Sequence, residues 1–163
     1  MVETFVSKDH MHAVHPAIQK VWIFSGILGS LFLVGAAVGG DWALMRVAEV
    51  NKTSIPVLTI LAVLLGPVRA IAFAKRSYES WRYLLTDKDL ILAWGVWWKT
   101  IRYIPREAIQ HLDINQGPLD RRFGLVQVAV HTAGTHSAVA NIPGLTRVQA
   151  EELRDSILAQ THA

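Results

Sequence analysis

The chain has 163 residues, of which 52% are hydrophobic and only 18% are charged, against roughly 25% charged in average soluble domains. It contains no cysteine, which excludes disulfides, thiolate chemistry and sulfur-liganded metal sites. The net charge of +3 is small and the basic residues are scattered, so no nucleic-acid partner is predicted. The shortage of charge is concentrated between residues 21 and 74, which indicates a membrane protein.

Residues 21–40 predict the first transmembrane helix, because they carry no charge and cover about 30 Å as a helix. Trp22 and Trp42 flank the run as an aromatic belt would. Gly35 and Gly39 form a G-x-x-x-G spacing and are candidate helix-packing positions, through which the chain could also form a homo-oligomer. The preceding segment, 1–20, carries charges before any apolar run, so it is predicted to be an N-terminal segment rather than a signal peptide.

Residues 55–74 predict the second transmembrane helix, after an external loop at 41–54. Pro67 is expected to kink this helix. Arg69 admits two interpretations: a functional charge within the membrane, or an arginine whose long side chain snorkels to the interface. Two spans place both termini on one side. More basic residues flank the outer ends of the helices than lie in the loop, which favours the cytoplasm for that side.

The remaining residues, 75–163, predict a small, mostly β domain of six or seven short antiparallel strands closed by a C-terminal helix. The apolar alternation and turn residues predict strands at 81–86, 90–94, 99–104, 109–115, 126–130 and 137–142. Pro143 and Gly144 are expected to end the last strand. Thr146 and Gln149 form a capping-box pattern, after which Ala150, Leu153 and Ile157 line one face of the predicted helix.

Several segments together carry a resemblance to a known family: Tyr83–Thr86, Ile104–Gln110, Gln116–Leu125, Val128–Gly134, Ile142–Leu145, and His15-Pro16 before the two-helix anchor. In these segments the chain resembles the bacterial pleckstrin-homology-like (PH-like) membrane proteins. The resemblance implies a sandwich of two antiparallel sheets capped by the last helix, anchored at the bacterial cell (inner) membrane, with no settled activity. One departure is the turn Asp87-Lys88-Asp89: PH domains that bind phosphoinositides carry a basic first hairpin, so inositol-lipid binding is not predicted.

Two groups of residues are candidate interaction sites. Arg121 and Arg122 suit carboxylates or phosphates, and at least one is exposed if they lie on a strand, whereas Leu119 and Phe123 could plug the core of a purely structural loop. Trp97 and Trp98 point to opposite faces if they are extended, so one ring could enter the core while the other meets lipid or protein. Alternatively, both rings are covered within the compact domain or by the membrane anchor.

No cofactor, metal or catalytic group is predicted. His10, His12 and His15 could hold a metal only if their segment folded around the ion, and no carboxylate pattern supports such a site. Ser137 and His136 are adjacent, but nothing in the sequence supplies an oxyanion site.

Two function classes remain. The first is a protein-interaction or scaffolding module at the cytoplasmic face that binds an unidentified membrane or cytoplasmic protein. The alternative is a membrane-surface sensor that binds anionic lipid headgroups through its mild basic excess.

Overall fold

The computed structural model describes residues 11–47, 57–133 and 140–159. In chain order, its elements are strand β1 (His12–Ala13), helices α1 (Ile18–Val47) and α2 (Val57–Ser80), strands β2 (Arg82–Leu85), β3 (Asp89–Trp94), β4 (Thr100–Pro105) and β5 (Ile109–Asn115), helix α3 (Pro118–Arg122), strands β6 (Leu125–Thr132) and β7 (Ala140–Thr146), and helix α4 (Arg147–Leu158). The chain divides into a helical unit, Trp22–Lys75, and a β unit formed by the residues on either side of it.

Both long helices are apolar enough to cross a membrane. Helix α1 has 30 residues, which corresponds to about 45 Å, so it extends beyond the predicted span 21–40. Helix α2 continues past residue 74 to Ser80 and runs through Pro67 without a break. Residues 48–56, which include the second half of the predicted external loop and the start of the second span, lie outside the described residues.

Small residues let α1 and α2 pack closely within the helical unit. A Cβ atom built on Gly26 would lie 2.8 Å from the Cβ of Ala70, and one built on Gly66 would lie 2.7 Å from the Cβ of Ser30. Each helix therefore contributes two small residues four positions apart, a spacing that places them on one face and permits close backbone approach. Nearer the connection between the helices, the Asp41 carboxylate accepts hydrogen bonds from the backbone N–H and hydroxyl of Thr59, at 2.9 and 2.8 Å.

The β unit contains a four-stranded antiparallel sheet, in the order β1-β2-β3-β4, and a three-stranded antiparallel sheet, in the order β5-β6-β7. Side chains from both sheets and from α4 form one core, with Leu90, Leu92, Val128 and Ile142 fully buried. This architecture confirms the predicted fold class. The predicted strands match β2 to β6 closely, because their apolar alternation reflects one face turned to this core.

Strand β7 corrects the expectation that Pro143 and Gly144 end the last strand. The strand continues to Thr146. The pairing of β6 with β7 shifts register between Val126 and Val128, and Pro143 and Gly144 lie in β7 at this irregularity. Gly144 has a φ of +65°, a conformation that glycine adopts at no steric cost. A proline and a glycine can therefore lie within an edge strand where the ladder is irregular.

The described part of the predicted N-terminal segment belongs to the β unit. His12 and Ala13 pair with Tyr83 and Arg82 of β2, and the His15 N–H donates a hydrogen bond to the Gly144 carbonyl at 2.7 Å. Burial raises the pKa of Tyr83, and the nearby charge of Glu152 raises this pKa further.

Helix α4 begins as predicted. The Thr146 hydroxyl accepts a hydrogen bond from the Gln149 N–H, and the Gln149 side chain accepts one from the Thr146 N–H. Ala150, Leu153 and Ile157 are buried, which confirms the predicted core-facing side of the helix. The capping box therefore fixes where the helix starts and which face it turns to the sheets.

Arg106 is a buried charged residue of the β unit that the sequence did not single out. It lies in a 3₁₀ turn between β4 and β5, and its guanidinium donates hydrogen bonds to the carbonyls of Thr86, Ser156 and Ile157. The last two carbonyls lie in the final turn of α4, where carbonyls lack partners within the helix and a positive charge is favourable. Arg106 thus connects the β2–β3 turn to the end of the terminal helix.

Candidate functional site

Residues 95–99, here called the tryptophan loop, join β3 to β4 and expose both predicted tryptophans. Trp97 is 78% exposed and Trp98 is 86% exposed, so neither ring enters the core. The loop requires glycine at position 95, where φ is +118° and a Cβ atom would lie 1.8 Å from the Trp98 carbonyl oxygen. The Gly95 N–H donates to the Ser80 hydroxyl at 3.3 Å, which ties the loop to the last turn of α2. Its backbone is therefore held while its two rings face outward.

Trp94, at the base of the loop, is packed instead. Its ring stacks on that of Trp81, with centroids 5.3 Å apart and an interplanar angle of 13°. The Arg102 guanidinium lies 5.4 Å from the Trp94 ring centroid, within the range of a cation–π contact. The aromatic residues of this region thus separate into a packed pair and an exposed pair.

The outer side of β4 continues the apolar surface of the tryptophan loop. Ile101 is 55% exposed and Tyr103 is 50% exposed, and because they are two residues apart on the strand, they lie on the same face. A cavity of about 130 Å³ lies beside Ile101, which lines it together with Ile91 and Ala93 among others. Strand β4 is also the last strand of its sheet. Ile101, Tyr103 and this strand edge are called the β4 edge below.

The predicted arginine segment forms a helical turn rather than a strand. Helix α3 begins at Pro118, a residue favoured at the first helical position, and the Asp120 carboxylate accepts the Gly117 N–H at 3.3 Å. Both Arg121 and Arg122 are exposed, because consecutive helical residues on a surface turn can both reach solvent, as strand residues on a packed sheet cannot.

The other two residues of this segment, Leu119 and Phe123, are half-buried. The arginine segment and the tryptophan loop belong to different sheets, since α3 joins β5 to β6 and the loop joins β3 to β4. The sequence candidates in the β unit therefore form two surfaces rather than one site.

The candidate residues of the helical unit lie away from the contact between α1 and α2. Gly35 and Gly39 are exposed, and a Cβ atom built on either would meet nothing within 4 Å. Arg69 is exposed on α2. The homo-oligomer through Gly35 and Gly39, and both interpretations of Arg69, stay predictions.

A cleft of about 660 Å³ lies where the predicted Asp87-Lys88-Asp89 turn meets Arg106 and Glu107. Its rim is mixed and carries more carboxylates than cations. Since a phosphate site needs convergent cations or backbone N–H groups, this turn has the wrong charge for an inositol phosphate.

The N-terminal histidines considered as metal ligands have other contacts where they are described. The ring centroid of His12 lies 5.7 Å from that of Tyr83, and the His15 Nδ1 accepts the Ala17 N–H at 3.2 Å near the start of α1. His10 lies outside the described residues, as do Ser137 and His136.

One polar cluster, made by His111, Asp113 and His131, was not predicted from the sequence. Its ligand atoms all lie within 4.8 Å of one another. The sequence does indicate that His111 and Asp113 lie close together, because they are two residues apart on a predicted strand and so share a face. The sequence does not indicate that His131 joins them, because the strand register that brings His131 opposite His111 cannot be derived from spacing alone.

Comparisons with known proteins agree with this architecture. The chain is 29% identical over 136 residues to the UPF0699 transmembrane protein YdbS of Bacillus subtilis (strain 168), an alignment that covers 83% of this chain. The chain spans 64% of the length of that relative. No solved structure matches the chain. The family model for the bacterial PH domain matches residues 21–161, which include α1 from residue 21 onward, α2, both sheets except β1, and α4. With this match over most of its length, the chain belongs to the bacterial PH domain family.

Proposed function

We propose that this protein is a membrane-anchored, non-catalytic PH-like module that binds a protein partner at the cytoplasmic face of the bacterial cell membrane. The observation that supports this function best is the exposed apolar surface made by the tryptophan loop and the β4 edge. Tryptophan and tyrosine are enriched among the residues that dominate the binding energy of protein interfaces. Contiguous exposed apolar patches on soluble domains often mark such interfaces.

The strand edge suggests how the partner binds. An edge strand can accept an extended segment of another chain as an additional strand, with main-chain hydrogen bonds for affinity and alternating side-chain contacts for specificity. Ile101 and Tyr103, two residues apart on one face of the strand, can supply such side-chain contacts, and the cavity beside Ile101 can receive an apolar side chain. The proposed partner therefore presents an extended, apolar segment.

Chain connectivity supports a single location for the β unit. Residues on both sides of the helical unit fold together, so a chain that crosses the bilayer with α1 and returns with α2 keeps this unit whole on one side. Lys20, in the first turn of α1, and Lys75 and Arg76, near the end of α2, lie at the ends of the apolar spans on that side. The positive-inside rule assigns that side to the cytoplasm.

The test is site-specific photocrosslinking of the full-length chain in native membranes, with the crosslinker at Trp97, Ile101 or Tyr103. We expect one common protein adduct from these positions. We expect an aspartate at Ile101 to reduce the Tyr103 adduct at least about tenfold, as loss of a hot-spot contact would.

Val148 on α4 provides the matched control position, because it is also an exposed apolar residue of the β unit. Equal adducts from Val148 and from the β4 edge, or an adduct that the Ile101 substitution leaves unchanged, would contradict the proposed partner site.

The position of the tryptophan loop supports a second candidate function, recognition of anionic lipid headgroups. The loop is hydrogen-bonded to the turn of α2 that follows Lys75 and Arg76, and indole rings favour the membrane–water interface. Crosslinking from Trp97 and Trp98 in nanodiscs without other proteins distinguishes the two functions. Lipid adducts that increase with the anionic lipid fraction support the sensor, whereas adducts that need a second protein support the interaction module.

A further inference from the structure

We propose that His111, Asp113 and His131 form a binding site for one divalent transition-metal ion such as Zn²⁺. The site lies on the three-stranded sheet and is separate from the tryptophan loop and the β4 edge, so it does not depend on the proposed partner function. A metal ion at this site departs from the expectation, drawn from the sequence, that the chain binds no metal.

Two neighbouring strands bring the three side chains together. In the antiparallel pair of β5 and β6, His111 lies directly opposite His131. Asp113 is two residues further along β5 and therefore projects from the same face as His111. A register shift between Ile109 and His111 precedes the cluster. Such a bulge redirects the side chains that follow it, and here it sets which residues oppose each other across the strands.

The distances within the cluster suit a shared ion. The His131 Nε2 lies 3.0 Å from an Asp113 carboxylate oxygen. The imidazole rings of His111 and His131 are stacked, with centroids 4.3 Å apart and an interplanar angle of 12°. Ligands of one Zn²⁺ ion lie about 2.0–2.2 Å from the metal, so their mutual separations are roughly 3–4 Å. Since all three ligand atoms already lie within 4.8 Å of one another, small side-chain rotations complete the site.

The ligand chemistry selects the class of ion. Two imidazoles and one carboxylate are a common set for Zn²⁺ and other divalent first-row metals, and three protein ligands leave a coordination position open. An ion pair between His131 and Asp113 explains only part of the cluster, because it gives no role to the second imidazole stacked on the first. A divalent cation binds both rings in their neutral forms and uses the carboxylate charge.

The surroundings combine rigidity with access. The side chains of β5 and β6 on the opposite face, including Leu112, Val128 and Val130, pack in or against the core and hold both strands. On the cluster side, His111 is exposed, and the Asp113 side chain is 54% exposed. The His131 side chain is only 16% exposed, so the site has one covered and two accessible ligands. An ion can therefore enter from solvent and meet ligands that the sheet has already placed.

The test measures Zn²⁺ and Co²⁺ binding to the full-length chain, purified in detergent without a histidine tag. Titration calorimetry with Zn²⁺ should give one ion per chain, and Co²⁺ should give a visible absorption spectrum with nitrogen ligation. We expect His111→Ala, His131→Ala and Asp113→Asn each to weaken binding at least about tenfold. Asp113→Asn keeps the side-chain shape, and unchanged circular dichroism shows that the variant remains folded.

The matched control removes His10 and His12 together by substitution with alanine. These imidazoles lie in a different part of the sequence, so this variant should bind Zn²⁺ as the unmodified chain does. The proposal is overturned if the three site variants bind Zn²⁺ as tightly as the unmodified chain, or if only the control variant loses binding. Binding that no substitution changes also overturns it, since such binding is not at this cluster.

Discussion

The helical unit exposes large apolar side chains, whereas the β unit buries them. In the helical unit, the buried positions are small or polar, such as Ser30, Asp41 and Ala70, whereas large apolar side chains face outward, with Phe32 81% exposed. In the β unit, large apolar side chains such as Leu90 and Leu125 are fully buried. The difference follows from the surroundings: lipid accepts leucine and phenylalanine, so helix contacts in a membrane rely on close packing of small residues, while water drives large apolar groups inward.

The tryptophan loop is a candidate site because it exposes large apolar residues in the β unit rather than in the helical unit. Trp98 is about as exposed as Phe32, but it belongs to the unit that buries most of its large apolar residues. Large exposed apolar residues are expected throughout the helical unit, whereas in the β unit a contiguous group of them, as in the tryptophan loop and the β4 edge, is a candidate interaction surface. The same fractional exposure therefore supports a functional interpretation in only one of the two regions.

The largest effect on stability is expected at Gly144. Here the β unit, like the helix contact of the helical unit, has a glycine with no room for a side chain. A Cβ atom at this position would lie 2.6 Å from the Cβ of Ile18, and the φ of +65° disfavours any side chain. We expect Gly144→Ala to lower the free energy of unfolding by roughly 2–5 kcal/mol, the sum of left-handed strain and overpacking. Thermal and denaturant unfolding of the full chain in detergent measure it.

Gly124 is the matched control for this substitution. Its φ is +67°, but a Cβ atom there meets nothing within 4 Å, so Gly124→Ala should cost only the strain of about 1–2 kcal/mol. Equal losses in the two variants would contradict the packing of the N-terminal segment against β7.

The second prediction compares equally exposed residues of the two units. An arginine at Phe32 should lower membrane insertion by about 3 kcal/mol, because a charge near the centre of a transmembrane helix is costly. An arginine at Trp98 should change the free energy of unfolding by less than about 0.5 kcal/mol, as a surface substitution does. Carbonate-resistant membrane fractions measure the first effect, and thermal unfolding measures the second. Normal insertion of the Phe32 variant would show that this part of α1 does not face lipid.

The sequence predicted those parts of the fold that depend on local pattern. The alternation in strands such as Ile109–Asn115 and the Thr146 capping box both describe short stretches of chain, and both are confirmed. Strand β1 was not predicted, because two residues are too few to show a period. The pairing of His111 with His131 was not predicted either, because register depends on contacts between distant segments.

The choice of helix face shows the same limit. Gly35 and Gly39 have the spacing typical of helix packing, yet the contact between α1 and α2 uses Gly26 and Ser30. Several small residues lie along α1, and spacing alone does not tell which face meets the second helix. The exposure of the tryptophan loop likewise needed the structure, because adjacent residues in a turn do not obey the alternation of a strand.

The third prediction concerns the helix contact in the helical unit, where Gly66 meets Ser30 and the expected net loss is smaller than at Gly144. Gly66→Ala places a Cβ atom 2.7 Å from the Ser30 Cβ, so the helices must separate locally, which costs about 1–3 kcal/mol. Alanine also favours the helix by roughly 1 kcal/mol relative to glycine, which offsets part of this loss. Gly29→Ala gains the same propensity and meets nothing within 4 Å, so the difference between the two variants isolates the helix contact. Thermal unfolding of both variants in one detergent measures it. If Gly66→Ala were as stable as Gly29→Ala, the two helices would not depend on close approach of small residues at this point.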